Sequence, residues 1–351
     1  VACFLPPSAQ QNFRVSPAKK RWLMAMCANT PASARAFAYV PSRRAGVAPE
    51  PRLAAAHIKH FYLRATEETV KAGLNLWTLI GFSQEKRPDL VWAVSTAREI
   101  GYDGAEVVYD DGLLDPKTIT NEERARIKGV GLEIPSVATG VFWKYNLGSP
   151  DERERRTGLE YLRMGLELAR DLDAKVLLVV PGVAKPEVPY EDLYENSKRS
   201  LREAAKRAEE LGVTIGVENV WNKFLYSPLE FRKFLDEVGS DYVKAYFDVG
   251  NVVAIGYHEH WTRLLKGRIA MVHVKDFDVN VGNIRGFRHV GRGSIDWPKV
   301  LRLLKEAGYD GFLNVECPPE FYPDLERPKY PEDGIRAAKD NLEALRRLIG
   351  K

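Results

Sequence analysis

Four short apolar runs in this 351-residue chain each end on, or carry, a side chain able to hold a metal or move a proton. VTIGVENVWN reaches Glu218, VKAYFDVGN reaches Asp248, IAMVHVKDF carries His273 and Lys275, and GFLNVECPP reaches Glu316. Runs of this length and composition read as buried strands of a parallel sheet, whose C-terminal lip is where chemistry collects. On neighbouring strands, three carboxylates and one imidazole would converge on one point. Such an oxygen-rich donor set suits one divalent ion, Mn²⁺ or Mg²⁺ first, with Co²⁺ or Zn²⁺ as further options. Each residue alone reads equally well as a polar group solvated at a strand end; four on consecutive strands make that reading the weaker one.

The elements that must position these residues alternate regularly. Strands are expected at Ala72–Thr78, Ala105–Val108, Glu133–Ala138, Val176–Val180, the run ending on Glu218, Val243–Asp248, Ile269–Lys275 and Phe312–Glu316. Between them, helical spacing covers Arg87–Ile100, Thr118–Val130, Asp151–Leu172, the Leu193–Leu211 stretch, Phe231–Val238, the region near His258–Leu265, Asp296–Ala307 and Gly334–Leu348. Ser149-Pro150-Asp151-Glu152 and Ser227-Pro228-Leu229-Glu230 read as capping boxes. The tetrapeptide Gly-Tyr-Asp-Gly precedes the strands at 105 and 312, a weak internal repeat. Eight strands alternating with eight helices predict an α/β fold, a (β/α)8 TIM barrel over residues 67–351. An open doubly wound sheet lacks support, because no Gly-x-Gly-x-x-Gly follows the first strand and no P-loop occurs.

VENVWNKF, FDVGN, VHVKDF, GRGSIDW and the closing NVE resemble the sugar phosphate isomerase/epimerase family of xylose isomerase-like TIM barrels, which includes ketose 3-epimerases. The resemblance runs from about Val70 to the C-terminus. It implies that Glu218, Asp248, His273 and Glu316 bind one divalent metal and that Glu218 and Glu316 are also the acid/base pair. The chemistry is consistent: a proton next to a ketose carbonyl leaves only if the cis-enediolate that forms is stabilised, and a cation across its oxygens does this. A carboxylate on each face then lets one group take the proton and the other return it, inverting the carbon.

Substrate contacts are expected from four further residues. Lys275 shares a strand face with His273 and reads as a ligand of a substrate oxygen or as half of a salt bridge. Glu106, at the second strand, reads as a sugar-hydroxyl ligand or a buried ion pair. Asn251 follows Asp248 by three residues, where some ketose 3-epimerases of the family carry a His that contacts substrate; the departure opens the field to other sugars or sugar acids. Arg288 belongs to Gly282–Ser294, a loop with Arg285, His289 and Arg292 that reads as a phosphate site or a solvated lid. Trp143 and Tyr145 read as a platform for a sugar face or as an oligomer contact.

Composition narrows the alternatives. Residues 1–66 hold ten of the 52 Lys and Arg but one of the 48 acids, leaving 42 basic and 47 acidic residues in the remainder. The +4 charge therefore belongs to the leader, and the body carries no footprint of a nucleic-acid binder. The leader is aperiodic and expected to be poorly ordered. A signal sequence, an organelle transit segment and a start assigned too far upstream are its other readings. No apolar run reaches the roughly 20 residues of a membrane span. Three scattered cysteines fit a reducing, cytoplasmic setting. The expected partner is a small sugar or sugar phosphate, with no nucleic acid and no membrane; a homo-oligomer is compatible. The rivals are an endonuclease IV-like phosphodiesterase, for which six histidines, two of them in the leader, are too few, and a sugar-binding barrel without catalysis.

Overall fold

The computed structural model describes residues 70–82 and 86–351; the leader expected over residues 1–66, with His57 and His60, lies outside the described residues. The strands are β1 (Lys71–Asn75), β2 (Gly104–Tyr109), β3 (Ser136–Thr139), β4 (Val176–Val179), β5 (Thr214–Glu218), β6 (Val243–Asp248), β7 (Ile269–Val274) and β8 (Phe312–Val315). Each pairs in parallel with the next, and β8 returns to β1, so the sheet closes into a barrel. The surrounding helices are α1 (Leu90–Ile100), α2 (Asn121–Gly129), α3 (Glu152–Asp171), α4 (Tyr190–Leu211), α5 (Pro228–Val238), α6 (His258–Leu264), α7 (Trp297–Glu306) and α8 (Glu332–Ile349). This is the TIM barrel that the alternation predicts. No helix among the described residues is long and apolar enough to cross a membrane.

The strands bury both faces, one toward the barrel lumen and one toward the helices, so polar/apolar alternation disappears; every residue of β2 and β4 is buried. The helices bury one stripe. In α7 it is Trp297, Val300 and Leu304, spaced three and four residues apart. Gly101 and Gly212 end α1 and α4 with φ of 108° and 66°, left-handed values that a side chain would strain.

Local departures from expectation have local causes. β1 stops at Asn75, short of Thr78, because the Asn75 carboxamide oxygen accepts from the N–H of Trp77 at 2.9 Å and starts a short helix, Trp77–Ile80. At α3 the cap is Asp151, not Ser149: its carboxylate accepts from Arg153 N–H at 2.8 Å, while the Ser149 hydroxyl donates to Glu154 at 2.6 Å. Ser227 does precede α5, but its side chain makes no capping bond. Two features went unforeseen: a helix of one turn and a half at Val249–Val253 and a two-stranded ribbon, Asp276–Phe277 against Phe287–Arg288.

Candidate metal centre

Parallel strands put their C-termini on one rim. Glu218 and Asp248 end β5 and β6, His273 is the penultimate residue of β7, and Glu316 follows β8 directly. Register places Asp248 opposite His273. One donor atom from each of the four residues lies within 4.8 Å of the other three, and all four residues are buried. From Nδ1 of His273, the oxygens of Glu218, Glu316 and Asp248 are 3.5, 3.6 and 3.8 Å away. That Nδ1 has no hydrogen-bond partner although its residue is fully buried. An unpartnered ring nitrogen facing three clustered carboxylates is the donor set of a hard or borderline divalent cation, so the residues fit one.

Beneath this rim lies a polar floor. Nε2 of His273 donates to Glu106 at 2.6 Å. Because β1 and β8 separate β2 from β7 in the ring, the bond spans the lumen. Glu106 is fully buried and also accepts from Asn75 at 2.6 Å, Ser136 at 2.7 Å and the hydroxyl of Tyr246. Its four acceptor positions are filled, so the expected sugar-hydroxyl ligand sits out of reach, below the imidazole. Asn219 frames Asp248 from the side, accepting from its N–H at 2.8 Å and donating to its carbonyl at 2.9 Å.

Lys275 lies at the mouth, 4% exposed, its ammonium bonded to both Asp248 and Glu316. Burial alone would lower its pKa, but the two carboxylates outweigh that and hold it above the ordinary lysine range. Glu218 has no such cation. Burial pushes its pKa up to about 7, with Glu316 and Asp248 adding repulsion and His273 opposing it. Of the two readings open for Lys275, the salt bridge is the one formed. An aromatic wall that sequence patterning did not reveal surrounds it: Phe287 has its centroid 5.4 Å from the ammonium and packs on Trp221, Phe277 and Phe321.

The remaining candidates are held by the scaffold. Asn251 is buried, donating to the Asn219 carbonyl at 3.0 Å, with its own N–H on Asp248 at 2.8 Å. Arg288 bonds the carbonyls of Arg285 and Phe287 and reaches Asp278 at 3.2 Å, bracing the ribbon. Within the same loop Arg292 faces Asp340 at 3.9 Å, and buried His289 meets the Asn341 amide at 2.7 Å. The GRGSIDW segment wraps Asp276, whose carboxylate accepts from the N–H of Gly291 and Ile295 and from the indole of Trp297. Tyr145 stacks on Tyr161 at 5.4 Å, whereas Trp143 is 45% exposed. His258 is turned to the Val249 carbonyl, so one histidine, His273, serves the cluster.

Residues 94–348 match the xylose isomerase-like TIM barrel family. Among curated relatives, the L-ribulose-5-phosphate 3-epimerase UlaE of Escherichia coli is 25% identical over 239 residues, 63% of this chain and 79% of that one. Among solved structures, an L-ribulose 3-epimerase superposes with a TM-score of 0.66 at 20% identity, covering 80% of this chain and 95% of its own. The IolI protein, with a zinc atom bound, superposes with a TM-score of 0.64 at 21% identity, covering 80% and 98%. The closed parallel barrel and the profile match agree, and the chain belongs to the xylose isomerase-like TIM barrel family.

Proposed function

We propose that this protein is a divalent-metal-dependent isomerase or epimerase of a ketose, keto-sugar or its phosphate, with Glu218 and Glu316 as its acid/base pair. One observation carries the reading: two glutamates from β5 and β8 reach the same point as Asp248 and the unpartnered Nδ1 of His273. All four would hold the cation, Mn²⁺ or Mg²⁺ by its oxygen-rich donors, with Zn²⁺ a competitor given the IolI neighbour. The ion, when bound, stabilises negative charge on the substrate's carbonyl and adjacent hydroxyl oxygens. The chain does the rest. Each glutamate would keep one oxygen free to take or return a proton at carbon. In the ion-free site burial lifts the Glu218 pKa to about 7, and a cation would relieve that penalty. The aromatic wall of Trp221, Phe277, Phe287 and Phe321 packs ring on ring beside Lys275 and would limit water at the mouth. Lys275 and Asn251 border the same space, and Lys275 would meet a substrate oxygen once a cation takes its place on Asp248 and Glu316.

The sugar epimerases among the relatives support a sugar substrate, and the phosphorylated substrate in the name of the E. coli relative keeps sugar phosphates in view. Arg288, spent on the ribbon, is a weak phosphate ligand, so the exposed Arg285 and Arg292 take over that proposal. We take residues 67–351 as the catalytic unit, 1–66 as a leader that adds little to its stability, and the cytoplasm as the setting.

The test is incubation of Mn²⁺-loaded protein in D₂O with a panel of ketoses, ketose phosphates and keto-sugars. Deuterium is expected at one carbon next to the carbonyl, with loss of exchange on chelation. No exchange in any sugar, with cleavage of abasic-site DNA by the zinc-loaded protein instead, would replace this reading with the phosphodiesterase.

A further inference from the structure

Glu106 has no place in the proton transfers just described, yet its carboxylate accepts four hydrogen bonds in the barrel lumen. We infer that it is a positioning residue for His273: by accepting the Nε2 proton it fixes the imidazole so that a bare Nδ1 faces the cation. The inference rests on the metal-dependent reading and goes beyond it, because Glu106 belongs to neither the four donors nor the acid/base pair.

A carboxylate can only accept, so the 2.6 Å contact keeps a ring proton on Nε2, and the nitrogen whose lone pair can be offered to a cation is Nδ1. The imidazole alone would not settle this, since its two tautomers are close in energy. Glu106 is itself held in place. Asn75 donates to the same oxygen as His273, and Ser136 and Tyr246 donate to the other. Behind those two hydroxyls stands Asn314, whose amide donates to both, each at 2.9 Å. Because a carboxylate only accepts, both hydroxyl protons point to Glu106. The network thus has one direction, from Asn314 through Ser136 and Tyr246 to Glu106.

The barrel gives up side chains to admit it. A Cβ on Gly73 would stand 1.9 Å from the Asn314 carboxamide oxygen, and one on Gly216 would stand 2.9 Å from the Tyr246 ring. Both positions are open only to glycine because other groups approach so closely. Filling a lumen with a carboxylate, two amides and two hydroxyls brings no stability that apolar side chains would not match. What it brings is orientation. Full burial and four filled acceptor positions leave Glu106 no route to a substrate hydroxyl.

The experiment uses the full chain, stripped of metal and titrated with Co²⁺ and with Mn²⁺, in wild type, Glu106→Gln and Tyr246→Phe. Glu106→Gln is expected to weaken Co²⁺ binding by about 10- to 100-fold and to shift the visible bands of the bound ion, the usual consequence of losing an outer partner of a ligating histidine. Tyr246→Phe, which removes one of four donors, should move affinity the same way by a smaller factor. It carries the test if Glu106→Gln does not fold. A folded Glu106→Gln protein with wild-type Co²⁺ affinity and an unchanged spectrum overturns the inference, whatever happens to its melting temperature. Wild type that takes up neither ion sinks the metal reading itself, and this inference with it.

Discussion

Two buried glutamates in one barrel lumen behave in opposite ways. Burial pushes both carboxyl groups toward the neutral form. At Glu106 the charge and hydrogen bond of His273, with the hydroxyls of Tyr246 and Ser136, outweigh burial and bring the pKa below the ordinary range. At Glu218 the neighbours include Glu316 and Asp248, and the pKa rises to about 7. Depth is therefore not what separates them. The floor is saturated with donors and holds a fixed charge; the rim crowds acceptors together and leaves charge to be shared with a proton, a lysine or a cation. The two buried histidines repeat the lesson. His273, between carboxylates, is raised well above the usual value in spite of burial, whereas burial carries His289 down to about 4.

Replacing rim carboxylates is the hardest blow to this contrast. With Mn²⁺ kept saturating, Glu218→Gln and Glu316→Gln should each lower turnover by about 10² to 10⁴ while substrate affinity changes little. Each variant should still exchange the α-proton of one epimer with D₂O but not of the other. Equal exchange from both epimers in both variants would mean that one base works on one face, as in an aldose–ketose isomerase.

Next in size is the shared cation of the rim. Lys275→Met leaves Asp248 and Glu316 buried beside each other without their counter-charge, which should cost the metal-free protein about 3–5 kcal/mol. Saturating Mn²⁺ should restore most of that, since the ion returns the missing charge to the same oxygens. Thermal unfolding with and without the ion decides it. An equal loss in both states would show that the lysine supports packing rather than charge.

The smallest effect comes from a histidine at which burial outweighs the nearby charge of Asp340. His289 accepts the Asn341 amide at Nδ1, and its Nε2 has no partner. Its folded-state pKa of about 4 lies below the ordinary histidine value of 6.5, so the unfolded chain takes up a proton first on acidification. The stability this group contributes is complete above about pH 6.5 and is lost as pH falls toward 4, roughly 1–2 kcal/mol by pH 5. Denaturant titrations at pH 7 and 5 should show a shallower pH dependence in His289→Gln. An unchanged slope would assign the acid lability to other groups.

The rim could be read from sequence because each of its candidate donors lies at or next to the end of an apolar run, and a barrel gathers strand ends without further information. The floor could not. β2 is buried at every position, so the pattern GAEVVY says that Glu106 points inward but not that it lies below the rim. Its partners Asn75, Ser136, Tyr246 and Asn314 all lie inside the runs expected as strands and announce no chemistry. The ribbon at 276–288 escaped for a different reason: two residues per strand show no period. At α3 two adequate caps stood two residues apart, and propensity does not choose between Ser149 and Asp151. Asn251 drew notice for a comparison with substrate-contacting residues, but its amide locks onto the Asn219 carbonyl, a contact between loops that spacing does not encode.

The donors come from β5, β6, β7 and the residue after β8, so any length of chain that stops short of residue 316 lacks the full set. During synthesis the ring stays open until β8 slots between β7 and β1, joining Phe312 to Lys71 across most of the described chain. Bringing such distant segments together is the slow, entropically costly step in folding a barrel. An ion held by all four donors would bind only after that step and would add its affinity to the closed state alone. Metal uptake by a growing or refolding chain would therefore time the closure of the barrel, with occupancy rising only as the last strand docks.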